Sequence, residues 1–236
     1  MSGKLYLIPT PIAENSLNTI PEYVLDRMRK IECFIAEDIR TARRYISKIK
    51  HPKPIIELTF FVLNKFTKHD EYLSFLKPIK DNYDIGLLTE AGLPCIADPG
   101  ADIVQIAHLQ NIIVVPLTGP SSIFLSLMAS GLNGQNFAFI GYLPINKDER
   151  RSTLKQLERK SVQDKQTQIF IETPFRNAAL LNDILMICKN DTMLCIASEV
   201  TTANEFIKTK KIKEWKDKIP DLNKKPSIFL LQSFIK

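Results

Sequence analysis

Short apolar runs alternate with segments of helical periodicity along the first half of the chain. The runs begin about 25–30 residues apart, a spacing typical of strand–helix–strand units. Strands joined by such crossovers form parallel sheets that helices cover. The pattern therefore predicts five parallel strands, at Leu5–Pro9, Ile31–Ala36, Ile55–Leu58, Ile85–Thr89 and Ile112–Leu117.

The second half of the chain also mixes strands with helices. A helix at Ser122–Ser130 is predicted to end at Gly131, because glycine commonly follows the last turn of a helix. Two further helices are predicted at Lys147–Lys160 and Phe175–Cys188. Strands are predicted at Phe137–Tyr142, Gln168–Glu172, Met193–Glu199, Glu205–Thr209 and Ser227–Phe234. The predicted fold class is α/β with two consecutive domains, a parallel-sheet domain at 1–117 and a mixed-sheet domain at 118–236.

The composition is that of an ordinary globular protein. Of 236 residues, 44% are hydrophobic and 25% are charged, which argues against disorder, and this length suffices to bury a core without metals or disulfides. No apolar run approaches the roughly 18 residues that a membrane helix needs, so we expect no membrane partner. The first residues contain no charged segment followed by an apolar one, so a cytoplasmic location is expected.

The cysteines and histidines do not form a metal-binding pattern. No two cysteines have C-x-x-C spacing, and Cys33, Cys188 and Cys195 lie in apolar runs. We interpret them, with Cys95, as buried thiols in a reducing compartment rather than as metal ligands or disulfide partners. The histidines are too far apart to form a zinc-ligand pair, so no metal is expected.

The positive charge of the chain is concentrated in two segments. The net charge of +6 permits a polyanionic partner without requiring one. Residues 27–53 hold nine basic and three acidic groups, and residues 205–236 hold nine lysines and four acids. Such local excess suits phosphate contacts, although a solvated basic surface accounts for it equally well.

The helix predicted at Asp38–Lys50 has one basic face. Arg40, Arg43, Arg44 and Lys48 recur at helical spacing, and apolar residues fall on the opposite face. Arginine forks match the geometry of phosphate oxygens, and the helix starts beside a predicted ligand loop. We therefore interpret this face as a polyanion contact, with a merely solvated helix face as the alternative.

Loops shaped by proline and glycine follow most of the predicted strands. Ligands of open α/β sheets collect beyond the carboxyl ends of the strands, so these loops are expected to gather at one edge. The loop Glu90–Ile96 is long for a strand–helix connection, and its glycine and proline hold backbone groups exposed for a polar small molecule. No glycine-rich dinucleotide motif, P-loop or nucleophile elbow is present. From these residues alone, a small-molecule enzyme and an RNA-binding protein are both consistent.

Six segments together form a specific pattern that covers nearly the whole chain. They are LYLIPTPI at Leu5–Ile12, AEDIR at Ala36–Arg40, EAGLPCIADPG at Glu90–Gly100, PLTGPSS at Pro116–Ser122, GYLP at Gly141–Pro144 and FIETPFR at Phe170–Arg176. In their order and spacing these segments resemble the tetrapyrrole methylase superfamily. Within it, the chain most closely resembles the ribosomal RNA small-subunit methyltransferase I family.

The resemblance implies a fold, a reaction and a cofactor. It implies two α/β domains with S-adenosylmethionine (SAM) in a cleft between them, and a homodimer. It also implies 2′-O-methylation of a cytidine ribose in small-subunit (16S) ribosomal RNA, with S-adenosylhomocysteine (SAH) as product. In the superfamily SAM is held largely by backbone groups of the loops after the fourth and fifth strands and by segments of the second domain. The matching positions are Ile12, Leu93, Pro94, Ile96, Ser121, Ser122, Ile171, Glu172, Ala197 and Pro226.

Carboxylates and arginines near the expected cleft are candidates for catalysis and RNA binding. A ribose hydroxyl is a poor nucleophile, so a base or an electrostatic partner is expected to assist. The candidate carboxylates, any of which could instead orient an arginine, are Glu37, Asp38, Glu90, Glu172 and Glu199. The RNA-contact candidates are Arg40, Arg43, Arg44, His69 and Arg176. His69 fits a surface or helix-capping role equally well.

The chain departs from the family pattern at several motif positions. Ala13 and Glu14 follow Ile12 where the family usually has a glycine, and Phe175 stands in place of a histidine. Two alternative hypotheses remain open, and the departure at Phe175 motivates the second. One is another enzyme of the superfamily, which methylates a tetrapyrrole, another small molecule or a protein. The other is a non-catalytic RNA-binding protein on the same fold.

Overall fold

Two units, each built around one five-stranded sheet, make up the chain. A computed structural model describes residues 3–64 and 66–234. The first unit comprises Met1–Ser121 and the second comprises Ser122–Lys236. Both units combine strands with helices, so the α/β class that the sequence predicts is confirmed.

The first unit contains a parallel sheet. Its strands are β1 (Leu5–Ile8), β2 (Cys33–Ala36), β3 (Thr59–Val62), β4 (Ile85–Leu88) and β5 (Val114–Pro116). Its helices are α1 (Glu22–Met28), α2 (Ile39–Lys48), α3 (His69–Phe75) and α4 (Ala101–Leu109), with short 3-10 turns at Leu17–Thr19, Ile55–Glu57 and Lys77–Asp81. The strand order is β3-β2-β4-β1-β5, and every pairing is parallel, as predicted.

Successive residues of the central strands face opposite sides of this sheet. Ile8 and Phe34 are fully buried in the cluster formed with α1 and α2, whereas Leu5 and Ile35 are fully buried in the cluster formed with α3 and α4. Because both faces are covered, the apolar runs of these strands are continuous rather than alternating. The loops at the ends of the strands are therefore the places where this unit can build a site.

One predicted strand, Ile55–Leu58, is wrong. Ile55–Glu57 is a 3-10 turn that follows Pro54, and β3 begins only at Thr59. Ile56 is 91% exposed, so its apolar character does not mark a buried strand. The β-branched and aromatic residues of Thr59–Val62 favour extended structure, and they pair with β2 at the edge of the sheet.

The second unit contains a mixed sheet. Its helices are α5 (Ser122–Ser130), α6 (Lys147–Gln163), α7 (Asn177–Ile187) and α8 (Ile212–Asp217). Its strands are β6 (Phe137–Tyr142), β7 (Thr167–Ile171), β8 (Met193–Ser198), β9 (Phe206–Lys211) and β10 (Ser227–Gln232). The strand order is β6-β7-β10-β8-β9, in which β6 and β7 are parallel and the other pairs are antiparallel. Helix α5 ends before Gly131, whose φ is +68°, as predicted.

A buried ion pair joins α6 to α7. Arg150 donates to Asp183 Oδ2 through Nε at 2.9 Å and Nη2 at 2.5 Å, and Arg151 Nε donates to Oδ1 at 2.7 Å. Arg150 Nη1 also donates to the carbonyl of Ile145 at 2.8 Å. Burial acts to raise the pKa of Asp183, but the hydrogen bonds from the two arginines outweigh burial and hold the pKa below its usual value.

Candidate functional site

The loops that follow β1, β4 and β5 contact one another at the carboxyl edge of the first sheet. Thr10 N donates to Gly92 O at 2.9 Å, and Gly92 N donates to Thr10 O at 3.1 Å. A Cβ on Gly119 would lie 2.1 Å from Pro9 Cβ, and a Cβ on Gly92 would lie 3.6 Å from Pro120 O. The expected gathering of loops at one edge is therefore confirmed for these three.

The loop Glu90–Gly100 has an unusual backbone. Cys95 and Ala97 adopt φ values of 68° and 59°, in the left-handed region that non-glycine residues rarely occupy. Asp98 Oδ1 accepts a hydrogen bond from Gly100 N at 2.9 Å, which fixes the end of the loop before α4. Backbone strain of this kind costs on the order of 1–3 kcal/mol per residue and clusters at binding sites. The predicted SAM contacts Leu93, Pro94 and Ile96 lie in this loop, and Ile96 is half exposed.

A cavity of about 290 Å³ lies beside these loops in the first unit. The chain after β1, the helix α2 and the end of β4 supply its walls. Tyr45 Oη donates to the carbonyl of Pro9 at 3.1 Å, and Lys48 Nζ donates to the carbonyl of Glu14 at 3.0 Å, so α2 holds the loop after β1 in place. Burial raises the pKa of Tyr45, which keeps its hydroxyl a donor. The lining residues are Thr10, Pro11, Ile12, Ala13, Glu14, Leu17, Thr41, Ala42, Arg44, Tyr45, Lys48, Leu88, Thr89 and Glu90.

The basic face that the sequence predicts on α2 is exposed. Arg40, Arg43, Arg44 and Lys48 are all exposed, and the apolar residues of the helix are buried in the core. The guanidinium carbon of Arg43 lies 5.2 Å from the centre of the Phe60 ring, so this arginine stacks on an aromatic side chain. Arg44 and Lys48 instead line the cavity.

Three of the candidate carboxylates follow β2 and β4. Asp38 caps α2, because its Oδ1 accepts from Thr41 N at 2.7 Å, and this hydrogen bond lowers the pKa of Asp38. Burial, and then the negative charges of Glu90, Asp98 and Asp38, raise the pKa of Glu37. Glu90 lines the cavity. Asp38 is therefore committed to its helix, and Glu90 is the one of these three carboxylates that lines the cavity.

The second unit brings three predicted cofactor residues together. Ile171 of β7 and Ala197 of β8 both pair with Ile228 of β10. Pro226 immediately precedes β10, and its carbonyl accepts from Glu199 N at 2.9 Å. Glu199 has a φ of 50°, so the chain after β8 is also held in a left-handed conformation. Backbone groups at this end of the sheet are fixed in the same manner as those of the first unit.

Glu172 is committed to an ion pair. Its Oε1 accepts from Arg176 Nε at 3.0 Å, from Arg176 Nη2 at 2.6 Å and from Thr173 N at 2.6 Å. The Glu172 side chain is almost completely buried, whereas about a third of the Arg176 side chain is exposed. Of the two roles considered for this carboxylate, the geometry supports orientation of Arg176 rather than proton transfer. Phe175, at the position of the family's histidine, is 75% exposed.

His69, Ser121 and Ser122 are not among the residues that line the cavity. His69 is the exposed first residue of α3, and its ring centre is 5.1 Å from that of Tyr72. Ser121 is the last residue of the first unit, and Ser122 begins α5.

No metal site or membrane span is found in the described part of the chain. Within residues 3–64 and 66–234, no group of three or more His, Cys, Asp or Glu could hold a metal ion. None of the helices there is long and apolar enough to cross a membrane. All four cysteines are free; Cys33, Cys188 and Cys195 are buried, and Cys95 is partly buried.

Two features of the cavity were missed by the sequence reasoning. Tyr45 lies on the face of α2 that the sequence marks only as apolar, yet its hydroxyl holds the loop after β1. A tyrosine at a core position needs a hydrogen-bond partner for its hydroxyl, and that need was the available signal. Thr10, whose hydroxyl is buried without a partner among the described residues, gave no such signal.

Replacement of Gly119 by alanine is expected to destabilise the first unit and to weaken binding of SAH. The new Cβ would overlap the Pro9 ring, and overpacking of this kind costs about 1–3 kcal/mol. Circular dichroism during unfolding and calorimetric titration with SAH measure the two effects. Gly134→Ala is the matched control, because nothing lies within 4 Å of its added Cβ. If G119A kept the stability and SAH affinity of G134A, these loops would not pack as described.

Comparison with curated proteins finds extensive similarity to one group of enzymes. The chain is 33% identical to the ribosomal RNA small subunit methyltransferase I of Thermotoga maritima. The alignment spans 209 residues and covers 88% of each protein. It is 30% identical over 205 residues to the enzyme of the same name from Escherichia coli O157:H7, covering 87% of the chain and 68% of that enzyme. The corresponding Haemophilus influenzae enzyme is 27% identical over 235 residues, 98% of the chain and 79% of the relative. No family model matches the chain.

Comparison with solved structures finds the same architecture at much lower sequence identity. The crystal structure of the methyltransferase CobJ superposes with a TM-score of 0.65 at 13% identity, covering 98% of the chain and 95% of that structure. The cobalt precorrin-4 methyltransferase CbiF superposes with a TM-score of 0.61 at 14% identity, covering 97% and 94%. At these identities the similarity demonstrates the fold alone, which is that of the tetrapyrrole methylases.

Proposed function

The chain belongs to the ribosomal RNA small subunit methyltransferase I family, and on this basis we propose which reaction it catalyses. It transfers a methyl group from SAM to the 2′-oxygen of a cytidine ribose in small-subunit ribosomal RNA. Membership of this family makes the chain an enzyme of the methyltransferase type. The hypothesis of a non-catalytic RNA-binding protein is therefore not retained. Action as a homodimer in the cytoplasm belongs to the same proposal.

The observation that carries the proposal is the cluster of loops after β1, β4 and β5. A rigid loop offers backbone N–H and C=O groups to a polar small molecule without an ordering cost on binding. The mutual hydrogen bonds of Thr10 and Gly92, and the left-handed conformations of Cys95 and Ala97, supply that rigidity. These features fit the proposed SAM contacts Leu93, Pro94 and Ile96. The proposed contacts Ile171, Ala197 and Pro226 have a similarly fixed backbone.

Glu90 is the carboxylate that we assign to the proton of the acceptor hydroxyl. SAM, when bound, supplies an electrophilic methyl group on a sulfonium. The Glu90 carboxylate borders the cavity, and no described residue donates a hydrogen bond to it. It is therefore free to accept the proton of a ribose 2′-hydroxyl, which becomes a better nucleophile as that proton leaves. Asp38 and Glu172 are already engaged, by α2 and by Arg176 respectively.

The exposed basic face of α2 is the proposed contact for the RNA backbone. Its arginines present planar forks that suit phosphate oxygens. The helix also borders the cavity, so phosphate contacts along it would hold the RNA next to Glu90. Arg176, oriented by Glu172, is a proposed further RNA contact on the second unit, and His69 is another on α3.

Replacement of Arg40 and Arg44 together by alanine is expected to weaken RNA binding roughly tenfold and to leave SAH binding unchanged. Loss of two phosphate contacts should also reduce the slope of log affinity against log salt by about 2. Filter binding to small-subunit ribosomal RNA over a range of salt concentrations measures both effects. Arg159→Ala, which removes an exposed arginine of α6, is the control. Equal loss of RNA and SAH binding would refute this division of roles.

A further inference from the structure

The cavity beside α2 combines apolar walls with charged groups of both signs. Ile12, Leu17 and Leu88 contribute apolar surface, Glu14 and Glu90 are its two acidic lining residues, and α2 contributes two cations. Its volume of about 290 Å³ lies just below the range typical of ligand pockets, about 300–1,000 Å³. A single nucleotide-sized group fits such a space, whereas a tetrapyrrole or several stacked bases do not.

The two cations at this cavity differ in how they are engaged. Lys48 Nζ is held by the carbonyl of Glu14 at 3.0 Å, so its charge is fixed at the rim. Arg44 has no hydrogen-bond or ion-pair partner among residues 3–64 and 66–234. Arg43, one position earlier, is stacked on Phe60. Arg44 is thus the arginine of this helix that lines the cavity and keeps its whole fork available for an anion.

A buried hydroxyl at the cavity also lacks a partner. Thr10 is 5% exposed, and its Oγ1 makes no hydrogen bond within the described part of the chain. A buried unsatisfied polar group costs about 1–3 kcal/mol, and a polar ligand in the cavity would provide the missing partner. The backbone of Thr10 is bonded to Gly92 in both directions, so the same residue joins the cavity to the loop proposed to bind SAM.

We propose that this cavity receives one ribonucleotide of the RNA substrate, unstacked from its neighbours. The apolar walls cover its base, Arg44 and Lys48 bind its phosphate, and Thr10 and Glu90 face its polar groups. Extrusion of a base from a stack costs a few kcal/mol, and the phosphate contacts with α2 offset that cost. The inference rests on the proposed function, because it identifies the subsite that would present the acceptor hydroxyl to Glu90.

Ala13→Phe tests the proposal by filling the cavity. Ala13 lines the cavity and is only partly exposed. The variant is expected to lower kcat/KM for small ribosomal subunits at least 100-fold while the Kd for SAH changes less than twofold. Saturation-transfer NMR with cytidine 5′-monophosphate should detect binding to the wild type and not to A13F. Ser152→Phe adds the same ring at an exposed position of α6 and should behave as the wild type.

The outcomes separate this proposal from the proposed function. Wild-type transfer by A13F would overturn the nucleotide cavity and leave the methyltransferase assignment intact. If the wild type methylated no ribosomal RNA, the proposed function would fail. If the wild type and A13F also bound cytidine 5′-monophosphate equally, the assignment of the cavity as a nucleotide site would fail as well. If A13F lost SAH binding through a displaced loop, the single variant Arg44→Ala decides, because Arg44 makes no hydrogen bond to that loop. It should raise KM for RNA several-fold, and an unchanged KM would overturn the proposal.

Discussion

Replacement of Glu90 by glutamine should lower kcat for methyl transfer to small-subunit RNA about 100-fold or more, with little change in SAH or RNA affinity. A positioned general base contributes about 10²–10⁴-fold to rate, and glutamine keeps the size of the side chain while removing its basicity. Glu90 is exposed and borders the cavity, so the substitution leaves the core untouched. Single-turnover transfer of radiolabelled methyl groups, with the enzyme in excess, measures the chemical step directly.

The controls for Glu90 use carboxylates in other environments. Glu149→Gln changes an exposed residue of α6 and should have wild-type kcat. Asp38→Asn removes the charge of the α2 cap and should act mainly on stability, because the cap contributes about 1 kcal/mol. A wild-type kcat for E90Q would exclude Glu90 as the base, and an equal loss in D38N would show that the effect of E90Q is not specific to the base.

Replacement of Asp183 by alanine should destabilise the second unit by about 3–5 kcal/mol. Removal of one partner from a buried ion pair leaves the other charge desolvated and unpaired. Arg150 is 7% exposed, and its Nε and Nη2 both donate to Asp183. Without Asp183, water could not reach the buried guanidinium to replace these hydrogen bonds. Urea unfolding followed by the fluorescence of Trp215 reports on this unit, because Trp215 is the single tryptophan and is 2% exposed.

Asp191→Ala is the matched control for D183A. The Asp191 side chain is 46% exposed and pairs with Lys211 at 3.3 Å and Lys213 at 3.7 Å. Exposed pairs of this kind contribute about 0–1 kcal/mol, so D191A should unfold close to the wild type. If D183A lowered the free energy of unfolding by less than 1 kcal/mol, the ion pair of Arg150 with Asp183 would be hydrated in solution rather than buried.

The buried elements of the fold could be predicted from the sequence because their environment imposes a simple pattern. The central strands β1, β2 and β4 are continuous apolar runs, since both faces of the sheet are covered. The helix α5 was predicted with its observed ends, because Gly131 marks its end. The edge strand β3 was predicted a few residues too early. Exposed Ile56, in the turn before it, is as apolar as the residues of Thr59–Val62, so the apolar pattern does not separate the turn from the strand. Helix α8 was missed because six residues carry too little periodicity to separate them from the lysine-rich strand before them.

The candidate site was only partly predictable for a different reason. The residue types that follow each strand are visible in the sequence, and the sheet order brings the loops after β4, β1 and β5 side by side. Which carboxylate is engaged depends on short contacts, such as those of Glu172 with Arg176 and of Asp38 with Thr41. The cavity depends on how α2 packs against the loop after β1, through Tyr45 and Lys48. Local sequence patterns carry no information on such tertiary contacts.

The most direct test of the central claim is transfer of radiolabelled methyl groups from SAM to small ribosomal subunits purified from cells that lack this gene. The proposed function predicts label in ribosomal RNA, at a ribose 2′-oxygen, with E90Q inactive and E149Q active in the same assay. The contradicting result is absence of label on those subunits from folded protein that binds SAH. That result would retain the methyltransferase family and remove the ribosomal substrate.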